Sequence, residues 1–358
     1  MSKTVIPFGP QHPVLPEPLH LKLVMQDETV VEAIPAIGYV HRGLEKLTET
    51  KEFTQNVFVV ERICGICSFQ HALAYCQGME SLMNIQVPDR GRYLRVIWAE
   101  LHRIHSHLLW LGLLADAFGF ESLFMQVWRN REKVMDIMEE TAGSRVIISA
   151  NAIGGTRRDI TPEMLVKITV IVDEIKQDLE EVEKTFFNDY TVKHRLVGVG
   201  VLSKADAYEL GACGPMARAS GIATDHRTTG YAAYGELDFE PITHNDGDSY
   251  SRTVVRLKEV YQSISLIKQA IAKIPEGEIA APFKGFPNGE VISRVEQPRG
   301  EALYYMRGNG TKNLDRLRVR TPTFANIPAL LKMLPGSQLA DVPILILTID
   351  PCISCTER

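Results

Sequence analysis

Arg62-Ile63-Cys64-Gly65-Ile66-Cys67-Ser68-Phe69-Gln70-His71 and, at the end of the chain, Asp350-Pro351-Cys352-Ile353-Ser354-Cys355-Thr356-Glu357-Arg358 carry two Cys-x-x-Cys pairs. Two thiolates three positions apart grip one metal ion. Zinc ribbons and similar folds place the two halves of such a site about 15 to 20 residues apart, so that a local loop closes around the ion. Here nearly the whole chain lies between them. A site built from both halves must therefore sit in the middle of the fold, walled off by the elements between. That suits a buried catalytic cofactor better than a structural staple. Four soft sulfurs select zinc, copper(I), nickel or iron, and residue type alone leaves that choice open, structural zinc included.

Outward from the cysteines, the 358-residue chain is 45% hydrophobic and 23% charged, enough to bury a large core. Its net charge of -5 gives no basic footprint for neutralising phosphates, which excludes nucleic acid as a partner. The N-terminus, Met1-Ser-Lys-Thr-Val-Ile-Pro7, lacks the regions of a secretory signal, so the chain is expected in the cytoplasm. Six cysteines in that setting read as metal or redox ligands rather than a disulfide framework. A membrane span needs about 20 consecutive apolar residues. The best runs, Leu108 to Leu114 and Pro343 to Ile349, are shorter, so membrane attachment is expected only through partners.

Residues 19 to 33 place two partly alternating apolar runs around Gln26-Asp27-Glu28 and predict a β-hairpin. From Tyr93 to Phe118 apolar residues recur at helical spacing, with almost no polar face after Leu108, which predicts a long helix with a buried second half. Thr161-Pro162-Glu163 supplies an N-cap, a first-turn proline and an early acid for a second helix through Phe187. Ser251 to Ile274 predicts a third, ending before Pro275. Asn188 to Asp248 reads as loops and short strands, with Val197 to Leu202 strand-like. The expected fold is mainly α (α+β) in a single domain spanning 1–358. It has an N-terminal β-hairpin region over about 1–50, a helical core over about 51–285 and a C-terminal β/loop region over about 286–358.

Around the first pair, Arg62 and His71 bring a cation and an imidazole, both of which favour thiolate over thiol. His71 could also donate to a coordinating sulfur, against the alternative of a satisfied core histidine. His102, His105 and His107 crowd one helix without a matched acid pattern and read as core or surface positions. Cys76 and Cys213 lack a paired spacing and read as buried and inert. Gly198-Val-Gly200 and Gly308-Asn-Gly310-Thr-Lys312 fit neither a dinucleotide fingerprint nor a phosphate loop.

The Arg62–His71 and Asp350–Arg358 motifs closely resemble the two signatures of nickel-iron hydrogenase large subunits. Gly9-Pro-Gln-His-Pro13, Gly38–Lys46, Gly214-Pro-Met-Ala-Arg-Ala-Ser-Gly221 and Pro298-Arg-Gly-Glu301 are also similar to the 49 kDa-type large subunit of respiratory complex I. Both sets together resemble the membrane-bound, energy-converting hydrogenases of the Ech type. The resemblance implies a Ni-Fe centre, its iron carrying carbon monoxide and cyanide, with Cys64 and Cys352 as terminal nickel ligands and Cys67 and Cys355 bridging. It further implies Arg299 over the open coordination position, and Pro322 and Thr323 lining the pocket of the diatomic ligands. A coordinating thiolate, Cys352 among them, would take the first proton and Glu17 would pass it outward; the alternative for Glu17 is a solvated surface acid. Glu45 matches a glutamate that helps bind magnesium, but Arg358 stands where a histidine ligand is expected. Two expectations follow for Glu45: a magnesium site, which the departure puts in question, or a Glu45–Arg358 ion pair that pins the C-terminal loop.

The resemblance implies several partners: an iron-sulfur cluster in a small subunit, ferredoxin as electron donor, and integral-membrane ion-translocating subunits. They would hold the chain at the cytoplasmic face of the membrane. The substrates would be protons and H2. The resemblance also leaves either a mature form or a gene without the C-terminal tail that many members lose on maturation. Two other readings stand beside it. One is a complex I-like quinone-site subunit, weakened by Pro16 where that motif carries a second histidine. The other is a zinc-stapled scaffold subunit.

Overall fold

Asp27 takes a left-handed φ of 53° in the polar turn expected around it, a conformation that Asp tolerates better than most residues. The turn joins β2 (His20–Gln26) to β3 (Thr29–Ala36), and β1 (Thr4–Phe8) adds antiparallel to the free edge of β2, so the hairpin is part of a three-stranded sheet. This computed structural model describes residues 3–117 and 119–358. Met1 and Ser2, in the stretch read for a signal, and Phe118, the last residue of the first predicted helix, lie outside the described residues.

After the sheet come α1 (Leu44–Thr50), α2 (Asn56–Glu61), α3 (Ser68–Leu82), α4 (Asp89–Ala117) and α5 (Glu121–Ala142). A two-residue ladder of β4 (Asn151–Ala152) and β5 (Gly155–Thr156) precedes α6 (Pro162–Asn188). The expected cap is present: the Thr161 side chain accepts from Met164 N, with Pro162 in the first turn.

The predicted strand at Val197–Leu202 is wrong. Those residues are turn and coil, because Gly198 and Gly200 sit at φ 72° and 63°, outside the extended region a strand needs. The stretch expected as loops and short strands holds no strand among its described residues. It instead folds α7 (Tyr190–Leu196), α8 (Lys204–Glu209) and α9 (Pro215–Ala219). Then come α10 (Ser249–Lys273) and an antiparallel sheet of β6 (Asn288–Gln297), β7 (Gly300–Asn309) and β8 (Leu314–Arg320). The end of the chain, expected as β and loop, also contains α11 (Pro322–Met333), α12 (Val342–Thr348) and the single turn α13 (Ile353–Thr356).

Helix α4 is the axis of the core and packs on both α5 and α10. Leu94, Ile97, Trp98, Leu101, Ile104, Leu108 and Leu111, the residues that predicted it, are all fully buried, each contributing about 1.5–3 kcal/mol by leaving water. Gly112 sets the α4–α5 approach: a Cβ there would fall 2.3 Å from the Trp128 ring. Between α4 and α10 the core is ionic. Arg218 donates to both Glu259 and Glu296, at 2.9 and 2.8 Å, and Arg227 pairs with Asp225 and Glu100. Buried charge in this network is tolerable because each of these groups meets a countercharge. No helix among the described residues is long and apolar enough to cross a membrane.

Candidate metal centre

The first pair of cysteines lies in the link between α2 and α3, with Cys67 at the N-cap of α3; the second lies on the turn that forms α13, with Cys352 at its N-cap. Asp350, at a left-handed φ of 54°, turns the chain out of α12 so that Cys352 faces the first loop. The sulfurs meet in two couples, Cys64 with Cys352 at 3.2 Å and Cys67 with Cys355 at 3.3 Å. Both distances exceed the ~2.05 Å of a disulfide. The sulfurs of Cys64, Cys67 and Cys355 lie within 4.8 Å of one another, and all four cysteines are buried.

Their protonation fits a site made for a soft cation. Burial pushes the Cys67 thiol up, but hydrogen bonds from Cys352, Cys355 and Cys64, together with the charge of His71, hold it well below the ordinary thiol range. Burial and the neighbouring sulfurs drive Cys355 well above that range. Cys352 also rises: its bond with Cys355 lowers it, but bonds with Cys64 and Cys67 and burial outweigh that. The four sulfurs cannot all ionise unless positive charge enters among them, which soft metals at a thiolate site supply.

The surroundings place most of the sequence-predicted residues against these loops. His71 reaches Cys355 Sγ through Nε2 at 3.3 Å, and its Nδ1 is paired with the Tyr304 hydroxyl at 2.5 Å. Thr323 Oγ1 accepts from Cys352 N at 3.1 Å, which leaves its own proton free to donate. Pro322, buried beside it, opens α11. Arg299 is buried on the β6–β7 turn, pairs with Asp350 at 2.8 Å and donates to the Asp350 carbonyl at 2.9 Å. Burial works against its charge, but Asp350 and then the sulfurs of Cys352, Cys64 and Cys67 hold it protonated. Glu17 is half-buried and accepts from both Ser354 N (2.8 Å) and Ser354 Oγ (2.9 Å), between the two C-terminal cysteines.

Glu45 Oε1 accepts from Arg358 Nε at 3.0 Å and from Val319 N at 2.9 Å, while Oε2 meets Arg318 at 3.0 Å. With two guanidinium groups and an amide on one carboxylate, these residues do not fit a magnesium ion, which needs a near-octahedral shell of oxygens. Arg62, expected to act as a cation beside the sulfurs, instead points outward and donates to Phe58 O. Cys76 is buried, and burial raises its thiol pKa; Cys213, expected buried, is partly exposed.

Three further residues organise the site without having been assigned a role from the sequence. Arg42 donates to the carbonyls of Arg62 and Ile63 and to that of Ser354, at 2.8, 2.7 and 3.1 Å, so one guanidinium ties both cysteine loops together. Glu357 accepts from the backbone N–H groups of Gly38 and Val40. Tyr304 is the fully buried partner of His71.

Residues 42–117 match the family model described as nickel-dependent hydrogenase. Residues 117–286 and 282–358 match that of the respiratory-chain NADH dehydrogenase 49 kDa subunit. The chain belongs to the family of hydrogenase and complex I large subunits. Within this family it is 40% identical to the carbon monoxide-induced hydrogenase of Rhodospirillum rubrum, over the full length of both chains. It is 39% identical to the membrane-bound hydrogenase subunit alpha of Pyrococcus furiosus, covering 99% of this chain and 87% of that one. The same coverage at 36% identity relates it to an NADH-quinone oxidoreductase subunit of Chloroherpeton thalassium. The hydrogenase match contains Arg42, Glu45, Cys64, Cys67 and His71, and the 49 kDa match contains Arg299, Cys352 and Cys355.

Proposed function

We propose that this chain is the catalytic large subunit of a ferredoxin-dependent, energy-converting nickel-iron hydrogenase that reversibly reduces protons to H2. The observation that carries the reading is the meeting of four buried cysteine sulfurs from opposite ends of the chain beside a buried arginine. Cys64, Cys67, Cys352 and Cys355 would hold nickel and iron, and the centre, when bound, supplies heterolytic formation and cleavage of the H–H bond.

The chain's own residues do the rest. Arg299, locked by Asp350, presents a fixed cation to the sulfurs in a buried pocket, where such a charge acts far more strongly than in bulk water. Cysteine sulfur, Cys352 among the candidates, holds the proton first. Glu17, anchored on Ser354, then receives it at a carboxylate oxygen and passes it outward. His71 Nε2–H steadies Cys355 Sγ, with Tyr304 fixing the ring from behind. Thr323 and Pro322 close the pocket on the Cys352 side. Electrons leave through an iron-sulfur small subunit to and from ferredoxin, and integral-membrane partners couple turnover to ion translocation at the cytoplasmic face.

The 49 kDa match favours a second reading, a quinone-site subunit without a metal of its own. Pro16 and the four retained cysteines weigh against it. Metal analysis of the purified complex separates the readings: nickel is expected, with iron in excess of it because the small subunit's cluster adds its own, while no nickel overturns the hydrogenase and zinc without nickel selects the scaffold.

A further inference from the structure

His102 and His105, three residues apart on α4, lie outside the roles above yet are fully buried, and His102 touches the first cysteine loop. Each has one ring nitrogen with a partner and one without. His102 Nδ1 meets the carbonyl of Ile66, between the two cysteines, at 3.3 Å. A carbonyl only accepts, so Nδ1 carries the proton and Nε2 is a bare acceptor. His105 Nε2 meets Arg131 Nη2 at 3.4 Å. A guanidinium only donates, so the His105 proton sits on Nδ1. Burial holds both rings neutral, pulling His102 down to about 4; burial and then Arg131 push His105 well below its ordinary range. The two remaining atoms, His102 Nε2 and His105 Nδ1, are buried without a partner, one an acceptor and the other a donor, on rings 6.0 Å apart. Leaving both unmade costs about 1–3 kcal/mol each.

We propose that one water molecule bridges His105 Nδ1–H to His102 Nε2, which makes Arg131 and His105 positioning residues for the centre; the inference rests on the hydrogenase reading. A polar pair of opposite kind is what a buried water needs as partners. The result is a chain in which every link donates the same way: Arg131 to His105, His105 to water, water to His102, and His102 to the Ile66 carbonyl. Ile66 N in turn donates to Cys64 Sγ at 3.3 Å, so the residue is held from both sides. Arg131 has no acceptor to offer, so this line does not carry protons out. It delivers the polarity of a half-buried guanidinium to the loop between Cys64 and Cys67.

The test compares the infrared carbon monoxide and cyanide bands of the assembled, metal-loaded complex with those of Arg131→Met, Arg131→Lys and His105→Leu. Arg131→Met and His105→Leu are expected to move the carbon monoxide band to lower wavenumber, because the sulfurs become more electron-rich, and Arg131→Lys to restore it. A shift in Arg131→Met but not in His105→Leu means charge acting through space and overturns the chain, as does a spectrum unchanged in all three. If His105→Leu does not fold, unchanged bands in Arg131→Met alone overturn it. A wild type without these bands refutes the hydrogenase reading instead. A high-resolution crystal structure then decides the water on its own: a water within hydrogen-bond distance of both nitrogens is expected, and a dry contact between the rings overturns the proposal.

Discussion

Glu17→Gln removes the group proposed to pass protons outward while keeping nearly the same shape. The wild-type carboxylate accepts two bonds from Ser354, at 2.8 and 2.9 Å. In the amide, the oxygen can still accept from Ser354 N and the NH2 can donate to Ser354 Oγ, so the loop keeps its anchor. The loss is then the difference between charge-assisted and neutral bonds, about 1 kcal/mol, less for the solvent that reaches this half-buried side chain. The catalytic loss is larger, because an amide cannot take up and release a proton at neutral pH. A positioned acid-base group contributes about 10²–10⁴-fold, or roughly 3–5 kcal/mol of barrier at 1.36 kcal/mol per tenfold. The assay follows three quantities in the purified complex: nickel and iron content, H2 turnover, and para-to-ortho hydrogen conversion, which needs no proton to leave. Glu17→Gln should keep its metals and the conversion while turnover falls by the stated range, and Glu17→Asp should recover part of it. Turnover equal to wild type with full metal content would refute the role, and loss of metal would show that Glu17 holds the loop rather than the proton.

Thr323→Val removes the acceptor for the buried Cys352 N–H and should cost about 1–3 kcal/mol of local stability, read as faster amide exchange at Cys352 and lower nickel content. Arg358→Met breaks the Glu45 pair and the bonds to the Cys355 and Thr356 carbonyls, at 3.4 and 3.0 Å, and should loosen α13 more than added magnesium can restore, as limited proteolysis would reveal. Burial, then Asp225, raises Glu296 to about 7 against the pull of Arg218. The folded state therefore holds a proton that the unfolded chain releases near pH 4.5, and stability should fall as pH rises from there through about 7. Glu296→Gln should flatten that part of a denaturation profile, and an unchanged slope would count against the raised carboxyl.

That the two cysteine pairs meet was legible because a site shared by two Cys-x-x-Cys halves requires them to converge whatever fold surrounds them. The long helices were legible because their apolar residues recur at helical spacing, with α6 burying a single apolar face and α4 and α10 buried on nearly all sides over much of their length. Tyr304 was not, since it is one inward position on β7 whose meaning depends on a histidine 233 residues away. Arg42 lay inside a recognised segment, yet its bonds to both cysteine loops depend on where the chain end comes to rest. Val197–Leu202 misled because its apolar alternation runs through Gly198 and Gly200, whose backbone angles break a strand regardless of pattern. His102 and His105 lacked an acid partner in the sequence, and their partners are a carbonyl and an arginine from other elements.

The central claim is that the four sulfurs hold nickel and an iron carrying diatomic ligands. An infrared spectrum of the anaerobically purified, nickel-replete complex tests it most directly. Carbon monoxide and cyanide stretches, lost in Cys355→Ser together with H2 turnover, are the predicted result. Their absence in the wild-type complex would contradict it.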